Sequence, residues 1–250
     1  KNLAWLLIFL SIVESLTISW LLLTKPIPTR MGLAPEEVYQ FLASDKSLFR
    51  VFCVTRCLSQ KKAAIYNLQL TEGYNTIQQK NYFDEFTQLS QVYWNKYTLS
   101  LPPFEILKFR EIQPFSPDLA DYNIKYVISP YPLKDKNLKL RISGSYLIYE
   151  NTIVKSRAFF SNGSRAPILN YSPNFIRVDT KDHPSLEFTL SEVWNEDWKA
   201  YSNGVSEIII SEPKNKLRNV RIKKDTRFVD FKYQPKSFIV GQLITTLTIV

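Results

Sequence analysis

The sequence predicts an α+β membrane-tethered domain: an N-terminal transmembrane helix, a small α/β subdomain, an antiparallel β-sandwich and the start of a second transmembrane helix. Three observations carry that expectation. From Leu3 to Leu23 only Glu14 is charged, and neither Gly nor Pro interrupts the run. From Leu138 onward, short β-rich runs recur with turn residues between them. The last 13 residues, Phe238 to Val250, are uncharged and mostly apolar. The expected segments are 1–24 (transmembrane helix), 25–45 (juxtamembrane linker and short helix), 46–135 (α/β subdomain), 136–236 (β-sandwich) and 237–250 (start of a further transmembrane helix).

At about 1.5 Å per residue, the first apolar run makes a helix of roughly 31 Å, which matches a hydrocarbon core of about 30 Å. A cleavable signal peptide is the competing reading. Its apolar region would be shorter and end in small residues, whereas Trp20-Leu21-Leu22-Leu23 runs straight into Thr24-Lys25-Pro26. Lys25-Pro26-Ile27-Pro28 makes a stiff exit. Pro35-Glu36-Glu37 opens a short helix whose apolar face is Val38, Phe41 and Leu42. Phe49 to Cys53 and Ala64 to Leu70 read as strands. Between Tyr74 and Asn95, the spacing of Tyr82, Phe86, Leu89 and Tyr93 is that of an amphipathic helix with a core-facing aromatic stripe.

Pro102, Pro103, Pro114 and Pro117 break the next stretch into irregular loop, after which Asp118 caps one helical turn and Tyr126-Val127-Ile128 forms a buried strand. The sandwich strands are then expected at Leu140, Tyr146–Tyr149, Ala158–Phe160, Phe175–Val178, Leu186–Leu190, Ile208–Ile210, Val220–Ile222 and Phe228–Tyr233. Ser143-Gly144-Ser145, Asn162-Gly163 and Asn203-Gly204 supply turns, the last suited to type I′ geometry. The C-terminal run reads either as a second span cut short, which makes the chain a piece of a larger polytopic protein, or as a buried β-strand.

The apolar ends hold only Lys1 and Glu14 among ionisable residues, so the whole net charge of +9 belongs to the polar middle. A basic domain held at a bilayer is drawn to lipid head groups, lipid phosphates or acidic envelope polymers. Nucleic acid is not expected, because the charges are scattered and no recognition motif is present. Cys53 and Cys57 are too far apart for a disulfide in a strand, though a tight turn could join them. His183, beside Pro184 in an expected turn, lies far from both, so no metal site is expected. No Gly-rich phosphate loop or nucleophile elbow appears, no cofactor is expected, and Asp84-Glu85, Asp118 with Asp121, and Glu196-Asp197 have ordinary roles as helix surface, cap and turn. Glu14 stands apart: a carboxylate in mid-span is costly and should face a protein interior or polar cavity. Trp194, Trp198, Lys199 and Tyr201, around the Asn203-Gly204 hairpin, are candidate glycan or phosphate contacts, since indoles suit sugar faces and membrane interfaces. The alternative is that one indole fills the sandwich core and the other is merely exposed.

Six segments carry a family resemblance. They are Phe49-Arg50-Val51, Gly73-Tyr74-Asn75, Asn123-Ile124-Lys125-Tyr126-Val127-Ile128, Tyr149-Glu150-Asn151 with Arg157-Ala158-Phe159, Trp198-Lys199-Ala200-Tyr201-Ser202-Asn203-Gly204, and Phe231-Lys232-Tyr233-Gln234-Pro235-Lys236-Ser237-Phe238 with Gly241. In this order they resemble the YfhO family of bacterial multi-span membrane proteins. Ser156, Asp197 and Asn203 depart from the family pattern. The resemblance implies an integral-membrane glycosyltransferase that uses a polyprenyl-phosphate-linked sugar to decorate envelope polymers, with this segment extracytoplasmic and its catalytic acid outside the segment. The rival expectation is a non-catalytic, membrane-anchored envelope-binding or assembly module.

The topology is testable in intact cells. With Cys53 and Cys57 replaced, a single cysteine at Ser44 or Ser145 should react with an impermeant thiol reagent before lysis. Reaction only after lysis would put the polar middle on the cytoplasmic side.

Overall fold

The structure is a computed structural model that describes residues 2–24, 33–73, 79–91, 112–181, 186–208, 210–211 and 216–249. The chain divides into two compact units, Lys1–Gly32 and Leu33–Val250. The described part of the first is one continuous helix, α1 (Asn2–Thr24), with apolar side chains exposed all round it, Trp5, Leu7, Leu16 and Trp20 among them. Among the described residues, no helix is long and apolar enough to cross a membrane.

The second unit opens on a mixed sheet. Its elements are α2 (Glu36–Ser44), β1 (Arg50–Cys53), α3 (Gln60–Ile65), β2 (Gln69–Leu70), α4 (Lys80–Ser90), α5 (Ser116–Asp121), β3 (Ile124–Ser129), β4 (Leu138–Ile142) and β5 (Leu147–Asn151). The strand order is β2-β1-β3-β5-β4. β1 runs parallel to both β2 and β3, so each of those links needs a crossover, which α3 supplies for the first and α4 with α5 for the second. α2 starts after Pro35 and buries Val38, Tyr39 and Leu42, while Tyr82, Phe86 and Leu89 of α4 join the same core as Phe52 and Ile128. Tyr93, Pro102, Pro103 and the His183 turn lie outside the described residues, whereas Pro117, expected in irregular loop, sits in the first turn of α5, where a proline's missing amide costs nothing.

Three expectations need correction here. Ala64–Leu70 is not one strand: α3 ends at Ile65, Asn67 takes φ 55°, and only Gln69–Leu70 pairs. Local bonds decide this. The Ser59 hydroxyl accepts the Lys62 amide at 3.4 Å, the Leu68 amide returns to Ala63 at 2.8 Å and the Asn67 amide to Ala64 at 3.1 Å, a helix-closing motif built on an Asn in the left-handed region. Asp118 is not a cap but sits in the first turn of α5, whose leading amide, that of Ser116, donates to Asp135 Oδ2 at 2.8 Å. The hairpin β4–β5, expected within the sandwich, instead completes the mixed sheet, with Tyr149 opposite Val127 and Ile148 opposite Ile128. Its buried residues Leu138 and Ile148 fit only that core.

The sandwich follows, from β6 (Ala158–Phe160), β7 (Ile168–Ser172), β8 (Phe175–Asp179), β9 (Glu187–Val193), β10 (Trp198–Ser202), β11 (Ser206–Ile208), β12 (Ile210–Ser211), β13 (Leu217–Arg221) and β14 (Phe228–Tyr233). Two antiparallel sheets result, ordered β11-β10-β14-β8-β7 and β12-β13-β9-β6. Phe188 from one sheet meets Phe231 from the other edge-on, with centroids 6.1 Å apart, and Val178, Ala200 and Val229 close around them. The chain ends in helix α6 (Lys236–Ile249), not a strand. Its Thr245 and Thr246 hydroxyls donate to the carbonyls of Gly241 and Gln242 at 2.9 Å.

Both central residues of the β10–β11 turn have positive φ, 50° at Asn203 and 76° at Gly204, and the Val205 amide closes the turn on the Ser202 carbonyl at 3.1 Å. A Cβ at 204 would find ordinary room, 3.4 Å from Asp230 Oδ2, so the cost of Gly204→Val is backbone strain. That substitution should destabilise the chain by about 1–3 kcal/mol. Thermal denaturation in detergent checks it, and an unchanged Tm would contradict the turn.

Candidate functional site

The structure brings three of the four aromatic and basic candidates together. Asn195 accepts the Asp197 amide on its side chain at 2.8 Å and the Trp198 amide on its carbonyl at 3.1 Å, which folds the link between β9 and β10 into a tight turn. Trp194, Trp198 and Lys199 then line one cleft of about 210 Å³ with Glu196 and Glu207. Both indoles are half-buried, and Trp198 packs against the sandwich core. Tyr201 is elsewhere: its hydroxyl donates to Gln234 Oε1 at 2.9 Å and its ring lies 5.0 Å from Lys232 Nζ. Glu14 belongs to the other unit, exposed on α1. Cys53 and Cys57 are both free and buried, and burial pushes the Cys53 thiol well above its ordinary range, which makes it a structural rather than a reactive group.

Behind Trp198 lies a network that includes Arg50 and Arg157, both from segments that carry the family resemblance, joined through Glu192, which no motif singled out. Arg218, 5% exposed, stacks its guanidinium carbon 3.9 Å from the Trp198 ring and donates through Nε to the Val193 carbonyl at 3.0 Å, while Nη1 has no hydrogen-bond partner among the described residues. Glu192, next to Val193, accepts from Arg50 at 2.9 Å, from Arg157 at 2.9 Å and from the Tyr171 hydroxyl at 2.6 Å. Burial alone would raise the Glu192 pKa. The charges of Arg50 and Arg157 outweigh it and hold the carboxyl below its usual range. Burial, together with the Arg50 charge, pulls Arg157 down to about 10, and burial does the same to Arg218; both stay cationic at neutral pH.

Arg157 is also part of the floor of a larger cleft, about 570 Å³, whose other cations are Lys46, Lys125, Lys155 and Arg165. Among the described residues, no carboxylate lines it. The acids sit behind the lysines: Asp45 Oδ2 is 2.5 Å from Lys125 Nζ, and Asp121 Oδ1 is 2.5 Å from Lys155 Nζ. Burial works against the Asp45 charge, yet hydrogen bonds from Lys125, Ser47 and Tyr126 outweigh it and hold the carboxyl at about 2. Lys46 and Arg165 are exposed at the rim, and among the described residues no carboxylate pairs with either. Leu48, Leu169 and Tyr171 give the same cleft an apolar side. A cleft lined by one sign of charge concentrates counter-ions, and four cations facing a common space, with Arg157 buried and committed to its own partners beneath them, can hold a phosphate-bearing anion.

Compared with protein-family models, curated proteins and solved structures, the chain matches none. The clefts therefore rest on their own chemistry. Among the described residues no cluster of three or more His, Cys, Asp or Glu side chains could hold a metal ion. The basic cleft escaped the sequence because its cations are spread from Lys46 to Arg165 and alternate with acids along the chain. The net charge of +9 was the only signal pointing to it.

Replacing Glu192 tests the network. Glu192→Gln leaves Arg50 and Arg157 without a counter-charge and should cost about 3–5 kcal/mol near neutral pH. Because the folded-state pKa of Glu192 is depressed, its contribution is present above the ordinary Glu value of about 4.3 and is lost as pH falls through the folded value. Urea denaturation should show the gap between parent and variant narrowing below about pH 4.

Proposed function

We propose that this chain is a membrane-attached recognition module of the cell envelope that holds a phosphate-bearing ligand in its basic cleft. The observation that carries the reading is that Lys46, Lys125, Lys155 and Arg165, with Arg157 buried beneath them, share one cleft that, among the described residues, no carboxylate lines. Its size of about 570 Å³ falls in the range of small-ligand sites. Membrane attachment is supported by α1 and α6, whose apolar side chains are exposed, Trp20 and Leu247 more than two-thirds so. The resemblance to YfhO-like proteins supplies a setting. In it, this module is the extracytoplasmic part of a glycosyltransferase that uses a polyprenyl-phosphate-linked sugar, and the cleft holds the phosphate of an envelope polymer or of a lipid while the chemistry lies in other parts of the protein. The saturated hydrogen bonding of Arg157 and Glu192 favours recognition over catalysis within the module itself.

Calorimetric titration of the chain in an uncharged detergent with poly(glycerol phosphate) should give binding that weakens with added salt. Lys46→Ala with Arg165→Ala, both exposed positions, should lower affinity about tenfold, roughly 1.4 kcal/mol, without altering Tm. Co-sedimentation with phosphatidylglycerol vesicles, against phosphatidylcholine vesicles, separates a lipid source of phosphate from a polymer source. Binding of neither anionic probe, or affinity indifferent to salt and to both substitutions, would remove the proposal.

A further inference from the structure

We propose that the tryptophan-lined cleft at the edge of the sandwich binds an uncharged sugar ring. This site is separate from the basic cleft and does not depend on it. β11, which ends at Ile208, is an edge strand of one sheet, and β12, which begins at Ile210, is an edge strand of the other. The cleft is lined by Ile208 and Ile210 and takes in Trp194 from the turn between β9 and β10 and Trp198 at the start of β10.

Three features define what fits. The first is a preset aromatic surface. Trp198 is fixed by the Arg218 guanidinium 3.9 Å from its ring and by Tyr233, whose ring centroid is 5.4 Å away at 47°. Arg218 is 5% exposed and, among the described residues, Nη1 is unpartnered, so the indole face helps to stabilise that buried charge and swinging the ring away would be costly. An indole held in place before a ligand arrives loses little side-chain freedom on binding. The second feature is the polar lining, in which Glu196 and Glu207 offer carboxylate acceptors and Lys199 an ammonium donor.

The third feature is the sign and size of the site. Two carboxylates to one ammonium disfavour a phosphate, and this separates the site from the basic cleft. Lys199 beside the indoles disfavours an organic cation, the other ligand that tryptophans commonly hold. What remains is a neutral molecule with an apolar face for the indole and hydroxyls for the carboxylates and the ammonium, which is the chemistry of a pyranose. A volume of about 210 Å³ is below the usual range for larger ligands, so a single ring is the fitting unit.

The experiment uses the full chain in an uncharged detergent, with the methyl glycosides of glucose, galactose, N-acetylglucosamine and N-acetylgalactosamine as probes. Saturation-transfer NMR and tryptophan fluorescence should show saturable binding of at least one glycoside, insensitive to salt. Trp194→Ala should weaken it about tenfold or more with Tm unchanged. Glu207→Gln, which keeps the shape of the side chain, should weaken it several-fold, and Arg165→Ala should leave it unaltered. Absence of saturable binding to every glycoside, in a chain that still binds poly(glycerol phosphate), would overturn the sugar site and leave the phosphate reading standing. So would unchanged affinity in Trp194→Ala, or tighter binding of tetramethylammonium than of any glycoside.

Discussion

The structure of the second unit depends on one buried carboxylate. Glu192 lies near the end of β9 in the sandwich, yet one of its ion-pair partners sits in the mixed sheet. Arg50 on β1 reaches across to Glu192 and, through its second nitrogen, to the carbonyls of Tyr122 and Ser191 at 2.8 and 2.7 Å. Arg157, just before the strand that opens the sandwich, reaches the other oxygen of Glu192 and continues to Asn123 and Gln69. Three arginines with one carboxylate is a costly arrangement to bury. Its geometry must therefore be near-complete, and a missing member costs more than the pair contributed. Both clefts are tied to it, because Arg157 floors the basic one and Arg218, which feels the Glu192 charge, braces Trp198 behind the other.

Much of the fold was legible because its signals are local. Alternating apolar residues and Asn-Gly turns place most sandwich strands, and Pro35-Glu36-Glu37 places α2. The misreadings arise where a short-range bond overrides a pattern. Ala64–Leu70 has the apolar content of a strand, but Ser59 and Asn67 close a helix around part of it. β7 was missed because Asn170 and exposed Leu169 spoil its alternation, since that strand lies at a sheet edge and buries little. The hairpin β4–β5 reads identically whichever sheet it joins, since sequence records a strand's periodicity and not its neighbour.

The site was less legible for a related reason. Trp194, Trp198 and Lys199 lie within six positions and are joined by one turn, so their proximity could be guessed. The five cations of the basic cleft come together only after the mixed sheet and the sandwich have packed. Several of the polar side chains in the sequence segments 123–128, 149–151 and 157–159 are used by the structure for folding. Asn123, at φ 57°, donates to the Lys155 carbonyl at 2.8 Å and accepts from Arg157 at 3.0 Å, while buried Asn151 donates to the Ser116 carbonyl at 3.1 Å. Those side chains therefore serve the packing of the two sheets' neighbouring segments.

The ion pairs behind the basic cleft do not exhaust it. An ammonium has three donors, and Lys125 directs two of them to Asp45 and to Ser47 Oγ at 3.4 Å, while Lys155 directs one to Asp121. Donors remain for an incoming oxyanion, and no fold-stabilising bond has to break to release them. The carboxylates thus act as anchors. Each fixes a flexible lysine at the wall and leaves its remaining hydrogens for any phosphate that enters, so less side-chain freedom is lost on binding than at an unpaired surface lysine. Asp45 stays ionised down to about pH 2, so the Lys125 anchor persists wherever a phosphodiester is charged. Lys46, whose ammonium donates to the Ala43 carbonyl at 2.9 Å, and Arg165 are exposed at the rim and act at longer range. Their field draws the anion toward the cleft, and because exposed charges are the ones salt screens most, added salt should weaken that contribution first.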